Sequence, residues 1–139
     1  MNMNADQARN AMLDYDAYHT AVKGEVNDVF YYYREQAAVQ AKQFQRALDD
    51  LAKAIELNPK ELTYFSELAV VNIRVGRNEE AIKVLKDALE IDSKYAEAYR
   101  LIVVAQLQLK QNKEACASFA KAKELGDPNV DALIEKHCK

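Results

Sequence analysis

The sequence predicts an all-α protein of stacked antiparallel helix hairpins, and three observations carry that prediction. Ala47, Ala81 and Ala115 lie 34 residues apart, and Ala54, Ala88 and Ala122 repeat the same interval. Three glycines and two prolines in 139 residues leave few turn-formers and little room for a sheet. Ala47, Leu51, Ala54 and Ile55 stand at i, i+4, i+7 and i+8, the spacing that gathers apolar side chains onto one helix face.

The interval extends to further columns. It aligns Leu51 with Leu85 and Phe119, Tyr31 with Phe65 and Tyr99, and Leu57 with Ile91 and Leu125. Small alanines on one face let a neighbouring helix approach, and one larger side chain per helix fills the remaining volume. Breaks fall between the hairpins, at Asn58 and Pro59, at Asp92 and Ser93, and at Gly126, Asp127 and Pro128, while Gly76 marks a turn inside the second copy. The predicted helices are 26–41 with 44–57, 60–75 with 78–91, 94–109 with 112–125, and a last helix over 129–138.

A 34-residue period with an A-x-x-x-F/L-x-x-A core resembles the tetratricopeptide repeat, over Asp28 to Asn129. The resemblance implies an α-α superhelix of repeats 28–61, 62–95 and 96–129, with a leading helix in 1–27 and a capping helix in 130–139. The sequence departs from the family pattern in places. Glu35, Ala69 and Val103 occupy the small-residue position of the first helices, and Lys42 and Lys110 stand where the turn glycine is kept only at Gly76. Asn72 and Gln106 replace a tyrosine, at positions suited to a polar contact between helices. Arg34, Glu35 and Ala38 fall on the nominal core face of the first repeat.

In this family the first helix of each repeat lines the concave side, so the resemblance implies a groove there. Its walls are Val29, Tyr32, Tyr33, Gln36, Val39 and Gln40, then Thr63, Ser66, Glu67, Val70, Ile73 and Arg74, then Glu97, Arg100, Leu101, Val104, Leu107 and Gln108. Val39, Ile73 and Leu107 form an apolar column that Val70, Leu101 and Val104 widen. Arg74 and Arg100 are placed to orient a carboxylate or backbone carbonyls, and Tyr32 and Tyr33 offer rigid amphipathic contacts, whereas Phe30 and Tyr31 are expected to face the core. Some family members clamp the carboxylate of acidic chaperone tails with Lys and Asn; here Tyr32, Gln36, Glu67, Glu97 and Leu101 stand at those places, and such tails are not expected to bind. The expected function is non-catalytic binding of an apolar peptide or helix. The alternative is a structural subunit that self-associates through its leading helix or groove.

In the leading segment, Ala11, Tyr15, Tyr18 and Val22 make a helical stripe ending near Gly24. Three readings stand: a half-repeat capping the stack, a helix lying in the groove, or an element swapped between chains.

Cys116 and Cys138 each lie 11 residues from Asp127 in the intervening turn. Folding that hairpin antiparallel brings them to one level, within reach of a disulfide that would contribute roughly 3 kcal/mol in the chain-entropy description. The tail EACASFAKAKELGDPNVDALIEKHCK is similar to the endings of exported bacterial repeat proteins. An extracytoplasmic place, bacterial periplasm or cell envelope, is favoured on that ground. Two reduced thiols packed as small hydrophobes in a cytoplasmic protein is the other reading. A metal site with His137 is disfavoured, because adjacent helix residues diverge by about 100° and no fourth ligand is suitably spaced.

The charge of −3, from 22 acidic and 19 basic residues spread along the chain, gives no electrostatic footprint for nucleic acid. No apolar run reaches the roughly 18 residues of a membrane helix, and MNMNADQARN lacks the regions of a secretory signal, although a signal removed upstream leaves the compartment open. His19 has Asp14 and Asp16 nearby and is expected on a solvated face; no nucleophile with a companion base and no Gly-rich phosphate loop is found. No enzyme activity, cofactor or metal is therefore expected.

Overall fold

A computed structural model describes residues 3–139; the first two residues of the leading segment lie outside the described residues. Among the described residues all regular structure is helical: α1 Ala5–Ala21, α2 Asp28–Gln40, α3 Phe44–Leu57, α4 Leu62–Arg74, α5 Asn78–Ile91, α6 Ala96–Gln108, α7 Asn112–Glu124 and α8 Val130–His137. The chain divides within α4 into two compact units, Met1–Tyr64 and Phe65–Lys139. The all-α expectation holds, and the predicted helices stand within two residues of their observed bounds.

The turns explain the antiparallel reversal. At the ends of α1, α2, α4, α6 and α7, the residues Lys23, Lys42, Gly76, Lys110 and Gly126 take positive φ between 55° and 85°. In the α2 turn, the Lys42 N–H donates to the Val39 carbonyl and the Gln43 N–H to the Ala38 carbonyl, the paired bonds of a Schellman cap. Arg77 to Asn72, Gln111 to Gln106 and Asp127 to Ala122 repeat the longer bond. Lys42 and Lys110 therefore keep the left-handed backbone of the family's glycine without its conformational freedom.

In the first unit, α2 packs on α1 and on α3. Tyr31, Ala54 and Tyr64 form a buried cluster with Val26, Phe30, Tyr32 and Ile55 around it. Beside this apolar cluster runs a charged network. Arg34 on α2 donates from Nε and Nη2 to both carboxylate oxygens of Asp50 on α3, at 2.9 and 2.8 Å. Its Nη1 lies 3.4 Å from Asp16 on α1, which Arg46 also reaches. The Phe30 and Tyr31 rings lie against the guanidinium, 5.4 and 5.6 Å from Cζ.

The leading helix packs on α2, the neighbour that the half-repeat reading expects. Its buried face is rotated from the expected stripe, of which Ala11, Tyr15 and Val22 are half-buried. Ala8 and Met12 are buried and Tyr15 and His19 half-buried, whereas Tyr18 is 56% exposed. Ala8, Met12 and Tyr15 reproduce the register of Ala47, Leu51 and Ala54 at an offset of 39 residues rather than 34. The longer connection through Val22 to Asn27 displaces the repeat and hid the register.

In the second unit, Ala69, Ala81, Leu85, Ala98 and Ile102 join α4, α5 and α6 in one core. Val103, Ala115, Phe119, Ala122 and Val130 join α6, α7 and α8 in another. Gln106 is buried and its Oε1 accepts from the Ser118 hydroxyl at 2.9 Å, a polar contact between α6 and α7 at the position where a tyrosine is replaced. Of the column Leu57, Ile91 and Leu125, the first two lie exposed at helix ends and Leu125 is half-buried.

Cys116 and Cys138 are joined in a disulfide, with Cα atoms 5.7 Å apart. The bridge ties the end of α8 to the start of α7, and the His137 ring stacks on Phe119 with centroids 6.1 Å apart. The reduced-thiol reading is corrected by this bridge. His137 is turned to Phe119 rather than gathered with the sulfurs, and among the described residues no group of His, Cys, Asp and Glu has metal-binding geometry.

Candidate binding surface

On α2, in the first unit, the expected surface residues divide. Tyr33 is exposed, as are Gln36 and Gln40, while Val39 is half-buried. Tyr32 is half-buried, its ring 5.4 Å from Tyr64 and 5.7 Å from Tyr33. Tyr31 is buried as expected, and Phe30 lies against Tyr15, Tyr18 and His19 on α1. His19 corrects the expectation of a solvated histidine. Its ring stacks on Phe30, and its Nε2 is 3.4 Å from the Tyr31 hydroxyl.

The start of α2 is fastened by Asp28, which accepts from the Tyr64 hydroxyl at 2.6 Å and from Asn58 Nδ2 at 3.2 Å. These bonds favour the ionised carboxylate and hold Asp28 below its ordinary pKa, the Tyr64 bond most strongly. Burial, followed by that same bond, pushes the Tyr64 phenol up.

In the second unit the expected residues come from α4 and α6. At the N-cap of α6, the Tyr95 hydroxyl donates to Ser66 Oγ on α4 at 3.1 Å. Val70 and Val104 are the freely exposed apolar side chains of the expected set within this unit, 40% and 43% open to solvent, as Val29 is on α2 of the first unit at 43%. Ile73 and Leu101 pack against the α4–α5–α6 core, and Leu107 against the α6–α7–α8 core, so they are half-spent on the protein's own interior. Gln108 and Arg74 are exposed, and Arg74 has an interaction partner of its own.

Arg100 does not stand ready for a partner's carboxylate. It is salt-bridged to Glu97 one helical turn earlier, and its Nε lies 3.7 Å from Asp127. Glu67 is half-buried, and burial first and the nearby Glu97 second raise its pKa above the ordinary value.

Beside this face, among α6, α7 and α8, lies a cavity of about 290 Å³. Val103, Val104, Leu107, Phe119, Val130 and Leu133 give it apolar walls, and Arg100, Asp127 and Asn129 stand at it as well. Val104, Leu107 and Arg100 belong to the expected surface, whereas the contribution of α8 is not among its expected walls. The signal was present, because Val130, Leu133 and Ile134 stand at i, i+3 and i+4, an amphipathic stripe on a helix that needs a neighbour.

Short capped helix pairs with alanine-lined seams define a helical-repeat module. The family model described as "Anaphase-promoting complex, cyclosome, subunit 3", itself tetratricopeptide-like, matches residues 4–88, and the model described as "Tetratricopeptide repeat" matches residues 72–136. The chain belongs to the tetratricopeptide-repeat family. Among solved structures it is similar to the Arabidopsis OM64 TPR domain, at 25% identity and a TM-score of 0.71, covering 80% of this chain and 93% of that one. The MamA protein gives 23% identity and a TM-score of 0.76, over 86% of this chain and 64% of that one. The first TPR of Spaghetti (RPAP3), bound to the HSP90 peptide SRMEEVD, gives 16% identity and a TM-score of 0.72, over 81% and 90% of the two chains. No curated protein matches the chain. Among the described residues no helix is long and apolar enough to cross a membrane.

Proposed function

We infer that the chain is a non-catalytic protein-interaction module that holds an apolar peptide or helix on the first helices of its repeats. The observation that carries this reading is the pair Val70 and Val104, apolar side chains left exposed on α4 and α6 of the second unit, with the apolar cavity opening beside Val104. Beside an apolar cavity, two exposed valines form an apolar patch that a partner's apolar side chains can cover. The fold is suited to the task, since a similarly folded solved structure holds a peptide. The Cys116–Cys138 bridge suits work in an oxidising compartment.

Capture from native lysate with the wild-type chain, beside the Val70→Glu and Val104→Glu variants, tests the reading. Retention by the wild type and loss from both variants, with unchanged circular dichroism, is the expected result. Equal capture by all three would remove the α4–α6 face from consideration.

A second reading is self-association through the leading helix. Its observation lies in the first unit, where Leu13 is 67% exposed and Tyr18 and Tyr33 are also open. Light scattering across concentration separates the two, because self-association raises the mass and Leu13→Glu with Tyr18→Glu would return it to that of one chain.

A further inference from the structure

Resting on the reading above, we propose that the partner segment is basic as well as apolar: an apolar side chain enters the α6–α7–α8 cavity while a lysine or arginine lies between Glu67 and Glu97. The cavity supplies the anchor. Its volume of about 290 Å³ is of side-chain scale, its walls are apolar, and Leu133 on α8 leaves it partly open.

The charge around it selects the occupant. Three carboxylates, Glu67, Glu97 and Asp127, belong to this stretch of the second unit, and Arg100 is bridged to Glu97 and close to Asp127. The charged group that acts on Glu67 is another carboxylate, Glu97. Glu67 is half-buried with the Glu97 carboxylate near enough to act on it, and an incoming ammonium or guanidinium would offset both the lost hydration and the like charge. An acidic segment meets the same pair with like charge and is repelled. Arg100 joins the two subsites, since it borders the cavity and bonds Glu97, so one short segment reaches both.

The probes are a short fluorescent peptide of leucine and lysine and its counterpart with glutamate for every lysine, each titrated into the full chain by fluorescence polarisation. The lysine peptide is expected to bind and the glutamate peptide not. Glu67→Gln, which keeps the shape of the side chain, is expected to weaken the lysine peptide about tenfold, and Leu133→Gln to weaken it by at least as much. Added salt should weaken the wild type more than Glu67→Gln. Equal binding of both peptides, each lost with Leu133→Gln, overturns the basic preference and leaves the apolar reading standing. Binding of neither peptide, or binding indifferent to Leu133→Gln, overturns the cavity as the anchor. A chain already paired with its own copy through this face, made monomeric by Leu133→Gln, overturns it too.

Discussion

Arg34 on α2 grips both carboxylate oxygens of Asp50 on α3 inside the first unit, and the two side chains are 13% and 5% exposed. A buried pair of this kind adds little over apolar packing, yet losing one member strands the other charge away from water. Asp50→Ala is therefore expected to destabilise the chain by about 3 to 5 kcal/mol in urea unfolding. Asp16→Asn touches a far more solvated carboxylate and should cost at most about 1 kcal/mol. Equal effects would contradict this division of the network.

The disulfide concerns α8, a short helix with α7 as its main neighbour. Reduction, or Cys116→Ser with Cys138→Ser, should lower stability by about 3 kcal/mol in the chain-entropy description. Hydrogen exchange should show the loss concentrated in α8, and titration of the unreduced chain should find no free thiol.

Three lysines occupy left-handed cap positions, and two of them replace turn glycines of the family pattern. Lys42→Gly and Lys110→Gly are each expected to stabilise by up to about 1 kcal/mol, because relief of the side-chain clash outweighs the added freedom of the unfolded chain. Gly76→Ala should destabilise by a similar amount through backbone strain alone, since a Cβ there would touch nothing within 4 Å. Thermal unfolding of the three variants checks the signs.

Two carboxylates give pH dependences of opposite sign. The folded pKa of Asp28 is depressed, so its contribution to stability is present above the unfolded value and is lost as pH falls through the folded value. Tyr64→Phe should flatten that acid limb. The folded pKa of Glu67 is raised, so its contribution is complete below the unfolded value and is lost as pH rises through the folded one. Glu67→Gln should remove that loss, and unfolding free energies across the acidic range measure both.

An acidic chaperone tail such as SRMEEVD is expected not to bind, because Glu67 and Glu97 present like charge where such a tail would need cations. A polarisation shift with the labelled peptide would contradict this.

The limits of the sequence reading follow from what a period can encode. Ala47, Ala81 and Ala115 are all fully buried, because a seam between helices tolerates only a small side chain and so repeats it. Charge pairing has no such recurrence. Arg34 is legible as a core-face residue, but its pairing with Asp50 is not among the expectations, although each lies eight residues from Lys42, the hairpin symmetry that brings the two cysteines together. The face of α1 was misread by one column, because the longer turn before α2 broke the interval on which the other helices had been aligned. Leu101 looked like a free surface residue, yet it packs on the core, which makes Leu101→Glu a probe of folding and leaves Val70→Glu and Val104→Glu as the probes of binding.

Hydrogen exchange on the chain with and without its captured partner tests the central claim most directly. Slowed exchange in α4, α6 and α8, with α5 little changed, is the predicted result. Protection centred on α5 and the outer side of α7, with α4 and α6 unaltered, would contradict binding on the first-helix face.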